Sequence, residues 1–197
     1  MTAELGAAIL LAGGAGTRLG GVDKPGLTVA GSALIERSLT AVGDVPVVVV
    51  GPPRTLSRAV ITTREDPPGA GPAAALAAGI DALRGRIEPS ALVAVLATDL
   101  PAVSAATVSR LVRAVENAAA IEDAAGAVVV DAADREQLLL GVWRYGDLLT
   151  ALGQRPSWAG ASVRAFLAPL VRARVPAEGE ETADIDTPDQ LARWQAE

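Results

Sequence analysis

Leu10-Leu11-Ala12-Gly13-Gly14-Ala15-Gly16-Thr17-Arg18-Leu19-Gly20-Gly21-Val22-Asp23-Lys24-Pro25 carries an apolar run, 7–12, into a glycine-rich loop. Glycines at 13, 14, 16, 20 and 21 open backbone conformations closed to other residues and bring bare N–H groups close to an anion. Arg18 and, six residues on, Lys24 add cationic donors suited to phosphate oxygens. The guanidinium serves as a fork and the ammonium as a point charge. A strand-end loop of this kind cradles a triphosphate; the plainer alternative is a glycine-rich turn that only joins two elements. Two other phosphate loops do not fit. A Walker A loop needs Gly-Lys-Ser/Thr, and Lys24 is followed by Pro25. A dinucleotide loop needs Gly-x-Gly-x-x-Gly entering a helix, and after Gly14-x-Gly16 the third glycine position holds Leu19.

Outward from the loop, apolar runs alternate with helix-period segments. Residues 7–12, 45–50, 91–97, 126–130 and 138–142 predict buried strands, being short, rich in Val or Leu and bounded by Gly, Pro or Asp. Residues 104–119 predict the cleanest helix: Ser104 can cap it, and Val108, Leu111, Val112 and Val115 fall at i, i+3, i+4 and i+7. Two more helices are predicted over 33–42 and 71–83, and Thr187-Pro188-Asp189-Gln190 is a capping box opening a last helix through Trp194. Continuous apolar strands alternating with helices predict an α/β fold with a mainly parallel sheet. No repeat or linker divides the chain, so 1–197 reads as a single domain. Segments 117–123 and 176–182 fall outside the pattern, and the second, with Glu178 to Glu181, reads as a solvated, mobile loop. Ligands of open α/β sheets sit at the carboxyl ends of strands. The loop 13–24, the turn 98–101 and the loop following 45–50 should therefore share one edge.

Half of the 197 residues are hydrophobic but only 3% are aromatic, so the core must be built from Ala, Val and Leu. The length suits one well-buried domain. A net charge of −6 without a basic tract argues against a nucleic-acid or anionic-membrane surface. The chain has no cysteine and no histidine. Disulfides, thiolate catalysis, zinc–sulfur sites and Ser-His-Asp triads are thereby excluded. Any metal must be held by oxygen, which points to Mg²⁺ or Mn²⁺. No secretory pattern or long apolar span appears, so a cytoplasmic protein is expected.

Three acidic sites stand out. Asp99 ends an otherwise apolar strand in Leu96-Ala97-Thr98-Asp99-Leu100-Pro101, where folding alone explains it poorly; it suits a metal ligand, with a turn-former or cap ahead of Ser104 as the lesser alternative. Asp184 and Asp186 alternate around Ile185, so in extended backbone both face one side, although Asp186 also suits a turn acid before the capping box. Asp66 lies in Arg64-Glu65-Asp66-Pro67-Pro68-Gly69-Ala70-Gly71-Pro72, which is also a plain Pro/Gly turn with an exposed acid.

The loop resembles the L-x-G-G-x-G/S-x-R-x-x-x-x-K-P signature of nucleotidyltransferases with the glycosyltransferase-A type fold. With Leu-Ala-Gly-Gly followed by Arg18 and the Asp23-Lys24 pair, it looks most like the molybdenum cofactor guanylyltransferases. The resemblance covers nearly the whole chain, through 136–144 and the terminal Leu191-Ala192-Arg193-Trp194. It implies a three-layer α/β/α, Rossmann-like domain of the nucleotide-diphospho-sugar transferase type. It also implies that Leu11, Ala12, Gly13, Gly14 and Lys24 hold the nucleotide, with Asp66 and Gly71 at the nucleoside. Lys24, Arg18 and Asp99 would be catalytic, and Asp99 and Asp186 would bind Mg²⁺, or Mn²⁺. At two places the chain differs from the guanylyltransferases. They usually have N-x-N-T-P where this chain has Asp184-Ile185-Asp186-Thr187-Pro188, which is similar to cytidylyltransferase branches. They often carry paired arginines near 160–164, where only Arg164 stands here.

The expected reaction is transfer of GMP from GTP to the terminal phosphate of molybdopterin or its molybdenum form, with release of pyrophosphate. Partners implied are GTP, the molybdopterin-type acceptor and, transiently, molybdoenzyme maturation proteins, with no nucleic acid and no membrane. Cytidylyl transfer to the same cofactor, transfer to a sugar phosphate, and non-catalytic nucleotide binding are the alternatives.

Overall fold

The computed structural model describes residues 4–13, 22–119 and 125–196. Strand β1 (Leu5–Leu11) shows how the two cores are divided. Ala7, Ile9 and Leu11 belong to one buried cluster, and Ala8 and Leu10 to another on the opposite face, because successive side chains of a strand point to opposite sides. The chain continues through a 3₁₀ turn at Lys24–Gly26, a short hairpin of β2 (Thr28–Val29) and β3 (Ser32–Ala33), α1 (Leu34–Val42), β4 (Val47–Val50), β5 (Ile61–Thr63) and α2 (Pro72–Ala82). Then follow β6 (Leu92–Ala97), α3 (Ala105–Ala119), β7 (Gly126–Val130), β8 (Glu136–Arg144), α4 (Tyr145–Leu152), α5 (Val163–Leu167), β9 (Val171–Pro176) and α6 (Pro188–Gln195).

Seven strands form one sheet in the order β5-β4-β1-β6-β8-β7-β9. β8 runs antiparallel to both of its neighbours, and the other pairings are parallel. Helices cover both faces. Leu76 and Ile80 of α2, Leu148 of α4 and Phe166 of α5 pack with Ile9 on one side. Ile35 and Leu39 of α1 and Val108, Leu111 and Val115 of α3 pack with Leu10 on the other. This is the expected three-layer, mainly parallel α/β/α arrangement. It explains why β4 is four consecutive valines, all buried, with no polar alternation. Each such side chain contributes roughly 1.5–3 kcal/mol by leaving water.

With few aromatics, Trp143 fills a slot that small residues leave open. A Cβ on Gly126 would lie 2.1 Å from its ring, and one on Gly141 would lie 3.1 Å away. The predicted caps form: Ser104 Oγ accepts from the Thr107 N–H at 3.3 Å, and Thr187 with Gln190 makes the capping box of α6.

The structure adds elements that the sequence reading did not predict: β5, β9, α4, α5 and the β2–β3 hairpin. It also extends the strand predicted over 138–142 to Glu136–Arg144. One expectation is corrected. The acidic segment 176–182 is not simply solvated, because Glu181 is 3% exposed. Its carboxylate accepts from the Thr107 hydroxyl at 2.7 Å, from Arg110 and from the Glu178 N–H at 2.9 Å. Burial of this acid is sustained by charge-assisted partners on α3. Of the other irregular segment, 120–123 lies outside the described residues. No helix among the described residues is long and apolar enough to cross a membrane.

Glu181→Ala should lower unfolding stability by about 2 kcal/mol, measured by urea denaturation. That is below the range for a fully buried pair, because Arg110 is only partly buried and keeps Glu178 at 3.0 Å.

Candidate functional site

Because β1, β4 and β6 are parallel neighbours, their carboxyl ends open on the same edge of the sheet. A cleft of about 560 Å³ lies there, lined by Leu11, Ala12 and Gly13 after β1, Gly51 and Pro52 after β4, and Thr98 and Asp99 after β6. Lys24 and Gly71 also line it. The volume is in the range of small-molecule sites. The strand ends meet closely: a Cβ on Gly51 would lie 2.7 Å from the Ala12 carbonyl oxygen, so only glycine fits. The Thr98 hydroxyl donates to the Leu11 carbonyl at 3.1 Å and locks β6 against β1 just before Asp99.

Asp99 meets two carboxylates from a distant part of the chain. One oxygen each from Asp99, Asp184 and Asp186 lie within 4.8 Å of one another. Burial of Ile185 creates this meeting. Ile185 is fully buried with Val29, Leu34 and Trp194, and its N–H donates to the Asp99 carbonyl at 3.1 Å. Its neighbours on either side are thereby turned together toward Asp99. The Asp186 N–H in turn donates to the Gln190 side chain at 2.8 Å, so the cap of α6 anchors the segment. Lys24 Nζ donates to Asp186 Oδ1 across the cleft.

Burial pushes the Asp99 carboxyl above its ordinary 3.8; Lys24 pulls it down, and Asp184 and Asp186 push it up. Three carboxylates against one ammonium leave an excess of negative charge. A divalent cation would relieve that repulsion. Mg²⁺–oxygen distances of about 2.0–2.1 Å put neighbouring ligand oxygens about 3 Å apart and opposite ones about 4 Å apart. Oxygens within 4.8 Å need only small rotamer changes to reach such a shell. The donor set is all oxygen, so the residues present fit a hard divalent ion. As for the cap alternative, the α3 cap is taken by Ser104, not Asp99.

The structure brings Leu11, Ala12, Gly13, Lys24, Gly71 and Asp99 to one cleft, with Asp186 on Lys24. Arg18 and Gly14 lie outside the described residues. Asp66 is not brought to the cleft. It is exposed and lines a separate groove with Asp81, Arg84 and Arg155, whereas its neighbours Arg64 and Glu65 line the cleft. Glu65 Oε1 accepts from the Gly69 N–H at 2.8 Å, which shapes the turn ahead of Gly71.

Sequence reasoning did not single out Arg54, whose guanidinium grips Asp23 with both terminal nitrogens at 3.0 and 3.2 Å. Nor did it find the groove of about 1000 Å³ beside the cleft, lined along residues 131–137 and by Arg164, Arg174 and Asp184. Its arginines are paired, Arg135 with Asp131 at 2.9 Å, Arg164 with Glu136 at 3.3 Å and Arg174 with Asp134 at 2.8 Å. Backbone and guanidinium hydrogen bonds hold the Asp131 carboxyl below its ordinary 3.8. Asp184 belongs both to this groove and to the acidic cluster, so the two spaces adjoin.

Solved structures share this arrangement of elements. The molybdopterin-guanine dinucleotide biosynthesis protein A of Archaeoglobus fulgidus superposes with a TM-score of 0.70 at 21% identity, covering 96% of this chain and 97% of that one. The 2-C-methyl-D-erythritol 4-phosphate cytidylyltransferase of Thermus thermophilus superposes with a TM-score of 0.61 at 21% identity, covering 95% and 96%. At these identities the likeness is one of fold. No curated protein sequence matches the chain significantly. The profile of the MobA-like NTP transferase domain matches residues 8–175, most of the chain and the whole cleft edge up to β9. The chain therefore belongs to the MobA-like NTP transferase domain family, and its substrate is a nucleoside triphosphate.

Proposed function

We propose that the chain transfers GMP from GTP to the terminal phosphate of a molybdopterin-type acceptor, releasing pyrophosphate. The observation that carries this reading is the convergence of Lys24 with Asp99, Asp184 and Asp186 at the cleft that Gly13 also lines. A phosphate monoester is already anionic at neutral pH and needs no general base, in keeping with a chain that has no histidine. Its oxygen forms the new bond to the α-phosphorus. The α–β bridging P–O bond breaks, and the electron pair leaves with pyrophosphate.

Lys24, with Arg18, neutralises the triphosphate and the charge that develops on the leaving group. The N–H groups of Gly13 and Gly14 hold the phosphates. Asp99 and Asp186, joined by Asp184, would hold Mg²⁺ or Mn²⁺. When bound, the ion lowers the repulsion between two anionic reactants. What remains for the protein is positioning and charge stabilisation.

We place the acceptor in the groove that adjoins the cluster at Asp184, whose volume is large enough for a small molecule. Arg164 is 64% exposed there and can leave Glu136 for a phosphate. Arg164→Ala should raise the acceptor KM about tenfold and leave the nucleotide KM unchanged in steady-state kinetics, the loss of one charge-assisted contact.

Guanine is supported by the named role of the Archaeoglobus fulgidus protein. A second reading, cytidylyl transfer to the same acceptor, is favoured by two observations. The candidate guanine partner Asp66 lines a groove separate from the cleft, and the Thermus thermophilus cytidylyltransferase has the same fold. Pyrophosphate release with Mg²⁺ and molybdenum cofactor, run with GTP, CTP, ATP and UTP side by side, separates them. Release with GTP alone supports guanylyl transfer; release with CTP alone replaces it by cytidylyl transfer. Silence with all four overturns the acceptor assignment.

A further inference from the structure

Asp23 and Lys24 are sequence neighbours that reach different partners. Lys24 reaches the acidic cluster at Asp186, whereas Asp23 reaches Arg54 on the loop after β4. Arg54 stands on a rigid corner. The Ala12 N–H donates to the Val50 carbonyl at 2.9 Å, the Gly51 N–H donates to the Thr63 carbonyl at 2.9 Å, and Pro52-Pro53 leads straight into Arg54. From this corner one guanidinium makes three contacts. Both terminal nitrogens donate to the Asp23 carboxylate, at 3.0 and 3.2 Å, and Nη2 also donates to the Ala12 carbonyl at 3.2 Å. Arg54 is only 12% exposed, whereas Asp23 is 63% exposed. The arginine is thus the fixed partner and the aspartate the one it holds.

A bidentate fork fixes direction as well as distance. The residue immediately after Asp23 begins the Lys24–Gly26 turn, whose Pro25 is buried. Held at Asp23 on one side and at Pro25 on the other, the Lys24 backbone has one entry angle to the cleft. The geometry points to Arg54 as a positioning residue for Lys24. It sets where the ammonium meets the phosphates of the nucleotide without itself touching them. This role rests on the nucleotide reading of the cleft but not on the base or the acceptor. The rival role is direct phosphate contact by Arg54, whose Nε is buried with no partner among the described residues.

A double-mutant cycle separates the two, since coupling between residues that act as a unit makes their effects non-additive. Binding of the four magnesium nucleoside triphosphates is titrated calorimetrically to wild type, Arg54→Ala, Arg54→Lys, Lys24→Ala, the Arg54→Ala/Lys24→Ala double variant and Asp23→Asn. Each variant's thermal melt is recorded as a control on folding. Arg54→Ala should weaken nucleotide binding about tenfold in the wild-type background and less than twofold when Lys24 is already alanine. Asp23→Asn should reproduce the Arg54→Ala loss, and Arg54→Lys, which keeps charge but not the fork, should recover only part of it. A tenfold loss in both backgrounds, or tighter binding by Asp23→Asn, would overturn the positioning role in favour of direct contact. Unchanged binding by Arg54→Ala would overturn it outright. Failure of the wild-type protein to bind any of the four would instead overturn the nucleotide reading and this role with it.

Discussion

Lys24→Ala is expected to lower turnover by about 10²–10³-fold while the protein keeps its fold. That is the range for removing one preorganised donor from a developing anion. The physical reason lies in the placement of the ammonium. Lys24 is only 17% exposed, and it faces the acidic cluster across a cleft with low-dielectric walls, where a charge acts more strongly than it does in water. Its ammonium pairs with Asp186, so truncation removes one partly exposed ion pair and no core side chain. Circular dichroism melts should therefore match wild type within a few degrees, and pre-steady-state pyrophosphate release should carry the whole effect. Unchanged turnover would remove Lys24 from the chemistry.

Asp99→Ala should cost more, about 10³-fold or beyond, because a metal-held charge contributes several kcal/mol and each 1.36 kcal/mol is a factor of ten. Manganese binding by the ligand-free protein, followed by electron paramagnetic resonance, should weaken in parallel. The same residue has an opposite effect on stability. Burial raises the Asp99 carboxyl above 3.8, with Lys24 opposing and Asp184 and Asp186 adding to the rise. A carboxyl whose folded pKa is raised favours the fold fully below its unfolded pKa of 3.8, and that contribution is lost as pH climbs through the raised value. Metal-free Asp99→Asn should thus melt above wild type at neutral pH, with the gap closing as pH falls toward 4. A charge that lowers stability in the empty site and is needed in the filled one has the pattern of a functional carboxylate. A lower melting point at neutral pH would show that Asp99 is instead a structural acid.

Much of this site was legible because its residues break a local rule. An aspartate closing Leu92–Ala97 has no reason in packing, and an Asp-Ile-Asp alternation with a buried centre can only present its acids together. The strands β1, β4, β6 and β7 were legible because burial on both faces makes them continuously apolar. β5 is a three-residue edge strand with one apolar side chain, Ile61, and leaves almost no trace in composition. β9 does alternate, Val171-Arg172-Ala173-Arg174-Val175, but its arginines hide a strand that the parallel pairing with β7 reveals.

Tertiary proximity supplied the remainder. Nothing near Asp23 announces Arg54, 31 residues away, because the pair exists only where the ends of β1 and β4 meet. Glu181 looked solvated because its neighbours are acidic. Its anchor is Thr107 and Arg110, one turn apart on α3, which no local pattern connects to it. The sequence pointed to Asp66, yet its neighbour Glu65 lines the cleft, in a turn that closes on Gly71, whose φ of 98° is open to glycine.

The most direct test of the central claim follows one phosphorus atom. GTP labelled at the α-phosphate, or at the γ-phosphate in a parallel reaction, is incubated with the protein, Mg²⁺ and molybdopterin, and the products are separated. Nucleotidyl transfer predicts α-label in the acceptor product and γ-label in pyrophosphate alone. Label from the γ-position in the acceptor, or release of inorganic phosphate with no labelled acceptor, would contradict the account.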